Sequence, residues 1–179
     1  MSSREVYRNA WMAVREDDIV HPDGSAGIYG VVDKADFSLV IPYDGKRLVV
    51  VEEFRHPVGG RVRNFPQGSS EHGSGVAPAQ VAAAELREET GLTASRWEHL
   101  GRLLVAPGMS SQGAQIFLAT RLSGRLAPQE PGLVAEWLTV AELEREIAGG
   151  RFADAASLAA YLLFQVTRRC GERPRERPP

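Results

Sequence analysis

The stretch PAQVAAAELREETGL, residues 78–92, decides how this chain is read. Pro78 suits a first helical turn, residues 79–90 are rich in strong helix formers, and Gly91 sits where a left-handed residue closes a helix. Within it Glu85, Glu88 and Glu89 stand at i, i+3 and i+4, a spacing that gathers three carboxylates on one helix face with neighbouring Cβ atoms about 5–6 Å apart. Ala79, Ala82, Ala83 and Leu86 form a small apolar side, so the helix is expected to press on a sheet with its acids pointing away from it. Like charges at i,i+4 cost an isolated helix roughly 0.2–0.5 kcal/mol per pair, and a bound cation offsets that repulsion. Hard oxygen ligands suit Mg²⁺ or Mn²⁺, which are commonly held by one or two carboxylates, waters and phosphate oxygens of a substrate. The same ELREET-Gly pattern also fits an ordinary surface helix with a glycine cap, so context must separate the two readings.

The surrounding chain reads as an α/β (α+β) domain. Residues 37–43 and 47–54 are apolar and β-branched around Asp44-Gly45-Lys46, which predicts a hairpin at the centre of a sheet. Residues 59–77 are rich in Gly, Ser and Pro and read as a long functional loop leading into the acidic helix. Strands are expected at 99–105, 115–122 and 135–139, and helices at 140–147 and 153–168. Upstream, residues 7–32 with the turn cluster HPDGS read as a small β-hairpin region.

Composition narrows the function. The chain of 179 residues, 43% apolar and 25% charged, fits one domain with a full core and carries no apolar run of membrane-spanning length. A formal net charge of −2 offers no general attraction to nucleic acid, so an anionic ligand must be held locally. The charged amino terminus lacks the apolar core of an export signal, and the expected compartment is the cytoplasm. Cys170 is the single cysteine, which excludes an intrachain disulfide, and it reads as a free thiol without a role.

Residues 84–92 resemble the second half of the Nudix box, Arg-Glu-apolar-any-Glu-Glu-any-Gly-apolar, with eight of nine positions compatible. Asn64-Phe65-Pro66-Gln67-Gly68 is similar to the strand end that introduces the box, and the Gly68 carbonyl is implied as part of the metal shell. Val51-Glu52-Glu53-Phe54-Arg55-His56-Pro57 looks like the Gln-Tyr-Arg-any-Pro segment of the ADP-ribose pyrophosphatase, or nucleoside diphosphate sugar hydrolase, branch. Ala106-Pro107-Gly108-Met109-Ser110 resembles that branch's Ser-Pro-Gly-Phe loop, Gln115 to Ala119 its following strand, and Ile147 to Ala155 its link into the last helix. The resemblance implies a Nudix fold, a mixed β-sheet sandwiched between helices, with residues 1–36 as an N-terminal hairpin that dimerises, 37–170 as the hydrolase domain and 171–179 as a disordered tail.

It also implies a metal-dependent hydrolase of a small nucleoside diphosphate derivative, ADP-ribose or a nucleotide sugar, with no nucleic-acid or membrane partner and a homodimeric state. Glu85, Glu88 and Glu89 are the expected catalytic residues and, with Gly68, the expected ligands for Mg²⁺ or Mn²⁺. Arg55, Gly108 and Met109 are the expected substrate contacts, with Arg61 or Arg63 as further phosphate grips. The departures matter as well. The box's first Glu and its Arg fall at Val76 and Ala84, which strands no charge but removes a brace between loop and helix, a place for which Glu71 and His72 are the candidates to fill in part. Where the branch has a Glu after the Pro-Gly loop, this chain has Ser110-Ser111-Gln112, and Gln112 cannot take a proton from water. The base is open among Glu130, Glu136 and the helix carboxylates, and a catalytically weak sensor that only binds a nucleotide sugar is the alternative function.

Overall fold

The computed structural model describes residues 2–70 and 75–171. Glu71 and His72, and the tail from 172 onward, lie outside these described residues. The amino-terminal segment is a three-stranded antiparallel meander, β1 (Ser3–Arg8), β2 (Met12–Val20) and β3 (Ala26–Lys34). The HPDGS turn is formed as expected, with Gly24 at φ 87° and Asp23 accepting from the Ser25 N–H. No apolar alternation in the sequence marks β1, every residue of which is exposed.

β4 (Phe37–Pro42) and β5 (Arg47–Arg55) form where expected but do not make a hairpin. Their turn closes only an isolated Tyr43–Leu48 bridge, after which the strands separate into different sheets. The reason is double-sided burial. Val40 and Val49 pack in one core cluster with Ala82 and Leu86, whereas Leu39, Ile41, Leu48 and Val50 pack in another with Leu143 and Phe164. A strand covered on both faces loses the alternation that distinguishes a hairpin from a strand buried between layers.

β6 (Gly60–Asn64) pairs antiparallel with β5, and β7 (Gln67–Gly68) pairs with β4, so the segment read as a loop starts as two strands. Arg61 and Arg63 disguise β6, because their side chains are held by acids of its neighbours. Arg63 is bonded by Glu52, Glu136 and Glu146, and Arg61 by Glu52 and the Gly132 carbonyl. β8 (Leu92–Leu104) and β9 (Gly113–Gly124) form a long antiparallel pair, and β9 also lies parallel to β4. β10 (Val134–Thr139) completes the second sheet, giving the orders β7-β4-β9-β8 and β10-β5-β6.

Helix α1 (Pro78–Thr90) covers one side of these sheets, and α2 (Val140–Ala148) and α3 (Ala155–Gly171) supply Leu143, Ala160, Tyr161 and Phe164 to the core on the other. The expected mixed sheet between helices is therefore present. α1 starts against β4, where the Ser38 hydroxyl donates to the Pro78 carbonyl at 2.8 Å. It ends at Gly91, whose φ of 75° and N–H to the Arg87 carbonyl form a left-handed cap. A Cβ there would stand 2.7 Å from the carbonyl oxygens of both Arg125 and Ala127. Gly91→Ala is expected to cost about 2 kcal/mol or more, from left-handed strain plus displaced backbone, read as a lower urea midpoint at unchanged slope.

Candidate active site

The two helix acids nearest the core are set by the faces α1 presents. Ala82, Leu86 and Glu89 are buried on one stripe, while Ala79 and Ala83, expected to face the sheet, are exposed. The acids are thus not turned away from the sheet. Glu89 is 4% exposed, and its Oε2 accepts the Gln67 N–H of β7 at 3.1 Å. Glu85, one turn earlier, lies against Gly68, where any Cβ would fall inside its carboxylate. Gly68 is required here for close approach rather than for a turn.

This closeness has an electrostatic consequence. Burial, aided by the charges of Glu85 and Glu53, lifts the Glu89 carboxyl to about 9. Burial, aided by Glu88, Glu130 and Glu53, lifts Glu85 to about 7, with Arg55 opposing. Glu88 stands apart, 43% exposed and ion-paired with Arg87 at 3.1 Å. Among the described residues no three acid, histidine or cysteine side chains converge as a closed metal cage. An open site suits Mg²⁺ better than a closed one, because that ion keeps waters and takes only one or two carboxylates from a protein. The donor set of Glu85, Glu89 and the neighbouring Gly68 backbone fits such a cation, whose charge would favour the ionised form of both acids.

A cleft of about 420 Å³ borders this acid corner, lined among others by Lys34, Phe37, Arg55, Gln67, Gly68 and Gln112. Its size is in the range of small-ligand sites, and it combines apolar walls with two cations. The buried Gln67 Oε1, also on this cleft, finds no hydrogen-bond partner among the described residues. Gly108 and Met109 are elsewhere. The Gly108 carbonyl accepts the Tyr29 hydroxyl at 2.5 Å and the Met109 carbonyl accepts the Val32 N–H, so their loop docks on β3. Met109 lines a separate cleft with Tyr29, Val31 and Arg102.

Other expected residues divide in the same way. Arg55 lies on the cleft, but Arg61 and Arg63 are committed to holding β6 and do not reach it. Glu136 is bound to Arg63 at 2.9 Å, whereas the charge of Glu130 is felt by both Glu85 and Glu89. Gln112 is on the cleft with its amide donating to the Ala35 carbonyl at 2.7 Å. Val76 is exposed and Ala84 half-buried, so the missing box pair leaves no unpaired charge. Reasoning from sequence overlooked Glu53 and Lys34. The signal for Glu53 was present in β5, where Val49, Val51, Glu53 and Arg55 share a face by alternation. Gly68→Ala should push the Glu85 carboxylate from its place, and we expect hydrolytic activity to fall about tenfold or more while the melting temperature changes little. Matched kinetics and thermal melts of the variant check this.

The comparisons with known proteins bear on the family and the fold. The family described as nucleoside diphosphate sugar hydrolase N-terminal domain matches residues 1–32, and the NUDIX domain family matches residues 34–161. An ADP-ribose pyrophosphatase of Mycobacterium tuberculosis is 31% identical over 167 residues, covering 90% of this chain and 80% of that protein. An ADP-ribose pyrophosphatase of Bacillus subtilis is 26% identical over 124 residues, covering 69% of this chain and 66% of that protein. A solved structure titled as an ADP compounds hydrolase superposes with a TM-score of 0.81 at 20% identity, covering 97% of this chain and 95% of the other.

Proposed function

Since the chain belongs to the NUDIX family, we propose that it hydrolyses the diphosphate linkage of a nucleoside diphosphate derivative, with ADP-ribose or a nucleotide sugar as substrate. The observation that carries the reading is the corner where buried Glu89 and Glu85 meet Gly68 beside a cleft of about 420 Å³. Glu85 and Glu89, with the Gly68 carbonyl and with Glu88 alongside, are the residues to hold Mg²⁺ or Mn²⁺. Such an ion, when bound, neutralises phosphate charge and makes phosphorus more open to attack. The Arg55 guanidinium grips phosphate oxygens from the cleft side, and Lys34 adds a second cation there. Phe37, Pro57 and Val58 give apolar walls on which the rest of the substrate packs and from which water is displaced.

The relatives named as ADP-ribose pyrophosphatases support this substrate class. Residues 1–36 are read as a dimerisation element and 37–170 as the hydrolase domain. Exposed Trp11, Val20, Ile28 and Tyr29 on the meander support a homodimer. The proposed compartment is the cytoplasm; separately, no described helix is long and apolar enough to cross a membrane. A binding-only sensor is favoured by one specific feature, the absence of the box's charged pair at Val76 and Ala84. A panel of nucleoside diphosphate derivatives with Mg²⁺ or Mn²⁺, run on the native chain and on Glu88→Gln and Glu89→Gln, separates the two. Metal-dependent product that the variants lose supports the hydrolase, and tight binding without product sinks it in favour of the sensor.

A further inference from the structure

Side chains alternate along a strand, so Val49, Val51, Glu53 and Arg55 share one face of β5. Val49 packs in the same cluster as Ala82 and Leu86 of α1. That face therefore runs from the apolar contact with α1 toward its acids, and Glu53 is the carboxylate it delivers. The Glu53 side chain is 19% exposed, and its charge is felt by both Glu85 and Glu89. Its Oε1 stands 2.6 Å from a terminal nitrogen of Arg55, yet this buried oxygen makes no directed hydrogen bond among the described residues. Arg55 is thus in contact with Glu53 on one side and with the cleft on the other. A half-buried carboxylate held by a single, poorly directed ion pair is weak as a fold-holding element, because the buried oxygen's acceptor capacity is unused. The alternatives are less well placed, with Glu136 held by Arg63, Gln112 unable to accept a proton from water, and Glu130, whose charge reaches the same helix acids, exposed in the loop between β9 and β10.

We propose that Glu53 is the general base of this site and Arg55 its gate: the guanidinium covers Glu53 in the free protein, and an incoming diphosphate draws it onto phosphate oxygens and uncovers the carboxylate. This rests on the hydrolase reading above. In the reaction Glu53 takes a proton from water as the water oxygen forms a bond to one phosphorus. The bond from that phosphorus to the bridging oxygen breaks, and its electron pair departs with the oxygen on the second phosphate. One water is consumed, two phosphate monoesters are formed, and the proton on Glu53 passes to solvent. The charged groups around Glu53 are Arg55 on its own strand and Glu85 and Glu89 from α1, with Glu130 acting on the same helix acids from the loop between β9 and β10.

The test compares Glu53→Gln with the native protein, using ADP-ribose and Mg²⁺ for kinetics and Mn²⁺ alone for binding by electron paramagnetic resonance. Expected are a kcat lower by about 10²–10³-fold, a KM within about threefold and a Mn²⁺ affinity within about tenfold. The variant's kcat should also rise about tenfold per pH unit where the native profile is flat, as hydroxide takes over from the lost base. Glu53→Asp, which keeps the charge but retracts it by one methylene, should lose about tenfold in kcat and keep the native profile shape, and it serves if the Gln variant does not fold. An unchanged kcat in the variants beside an active native protein overturns the base alone, as does a loss explained wholly by weaker Mn²⁺ binding. A native protein that cleaves none of the panel overturns the hydrolase reading and the base together.

Discussion

Glu89→Gln is expected to lower turnover of the diphosphate substrate at least about 100-fold at saturating Mg²⁺, without loss of the fold. Gln keeps the length of the side chain and an oxygen to accept the Gln67 N–H that Glu89 now accepts at 3.1 Å. What it removes is the negative charge that the carboxyl takes on when a cation binds, at a side chain 4% exposed and therefore little screened by solvent. A positioned charge in such a corner contributes on the order of 10²–10³-fold to a rate when it orders the groups around a developing charge. The same change should weaken Mn²⁺ binding by about tenfold or more, measured by titration on the protein alone. A variant that retains more than about a third of native kcat would remove Glu89 from the machinery, whatever happens to metal affinity.

The second large effect is on stability without metal. Glu89 lifted to about 9 and Glu85 to about 7 hold protons in the folded state that an unfolded chain, at an ordinary 4.5, has released. Between those values the native state binds more protons than the unfolded state, so stability falls as pH rises, by up to about 1.4 kcal/mol per unit for each group. Their contribution is fully present below about pH 4.5, declines through about pH 7 for Glu85 and continues to about pH 9 for Glu89. Solvent and relaxation reduce the total to about 2–4 kcal/mol, a fall in melting temperature of roughly 10 °C between pH 5 and pH 9 in a chelator. Mg²⁺ or Mn²⁺ should restore much of it at high pH, because a ligand that binds only the native state stabilises it. Glu89→Gln should flatten the profile and melt higher than the native protein at pH 8 without metal. A native profile that is flat from pH 5 to pH 9 in chelator would show that these acids are not held as close as the structure places them.

The two effects belong together. The arrangement that makes the acids costly without a cation is the arrangement that makes the corner able to hold one. Activity and apo stability should therefore move in opposite directions on replacing Glu89, the usual relation where a site is kept at some expense to the fold.

The helix of residues 78–90 was legible in full, because Pro78, the run of helix formers and Gly91 are local signals that tertiary contacts did not contradict. The i, i+3, i+4 acids were legible for the same reason, since helical periodicity alone places Glu85, Glu88 and Glu89 side by side. Which of them turns inward was not. Ala82 and Leu86 are buried against Val40, Val49 and Phe117, while β7 brings Gln67 against Glu89 and Gly68 against Glu85, and no spacing within the helix encodes where a distant strand lies. The same distinction explains the hairpin that did not form. Residues 37–42 and 47–55 announce themselves as strands, but β9 and β10, more than fifty residues onward, decide their partners. Arg61 and Arg63 read as free cations until Glu52, Glu136 and Glu146 close on them from three other elements. By itself, then, the sequence determined what could be formed within a few turns or a single strand: the acidic helix, its cap, the apolar strands such as β4, β5 and β9, and the family. The tertiary structure decided which charges are buried, paired or left facing the cleft, because desolvation and ion pairing depend on neighbours brought together only by folding.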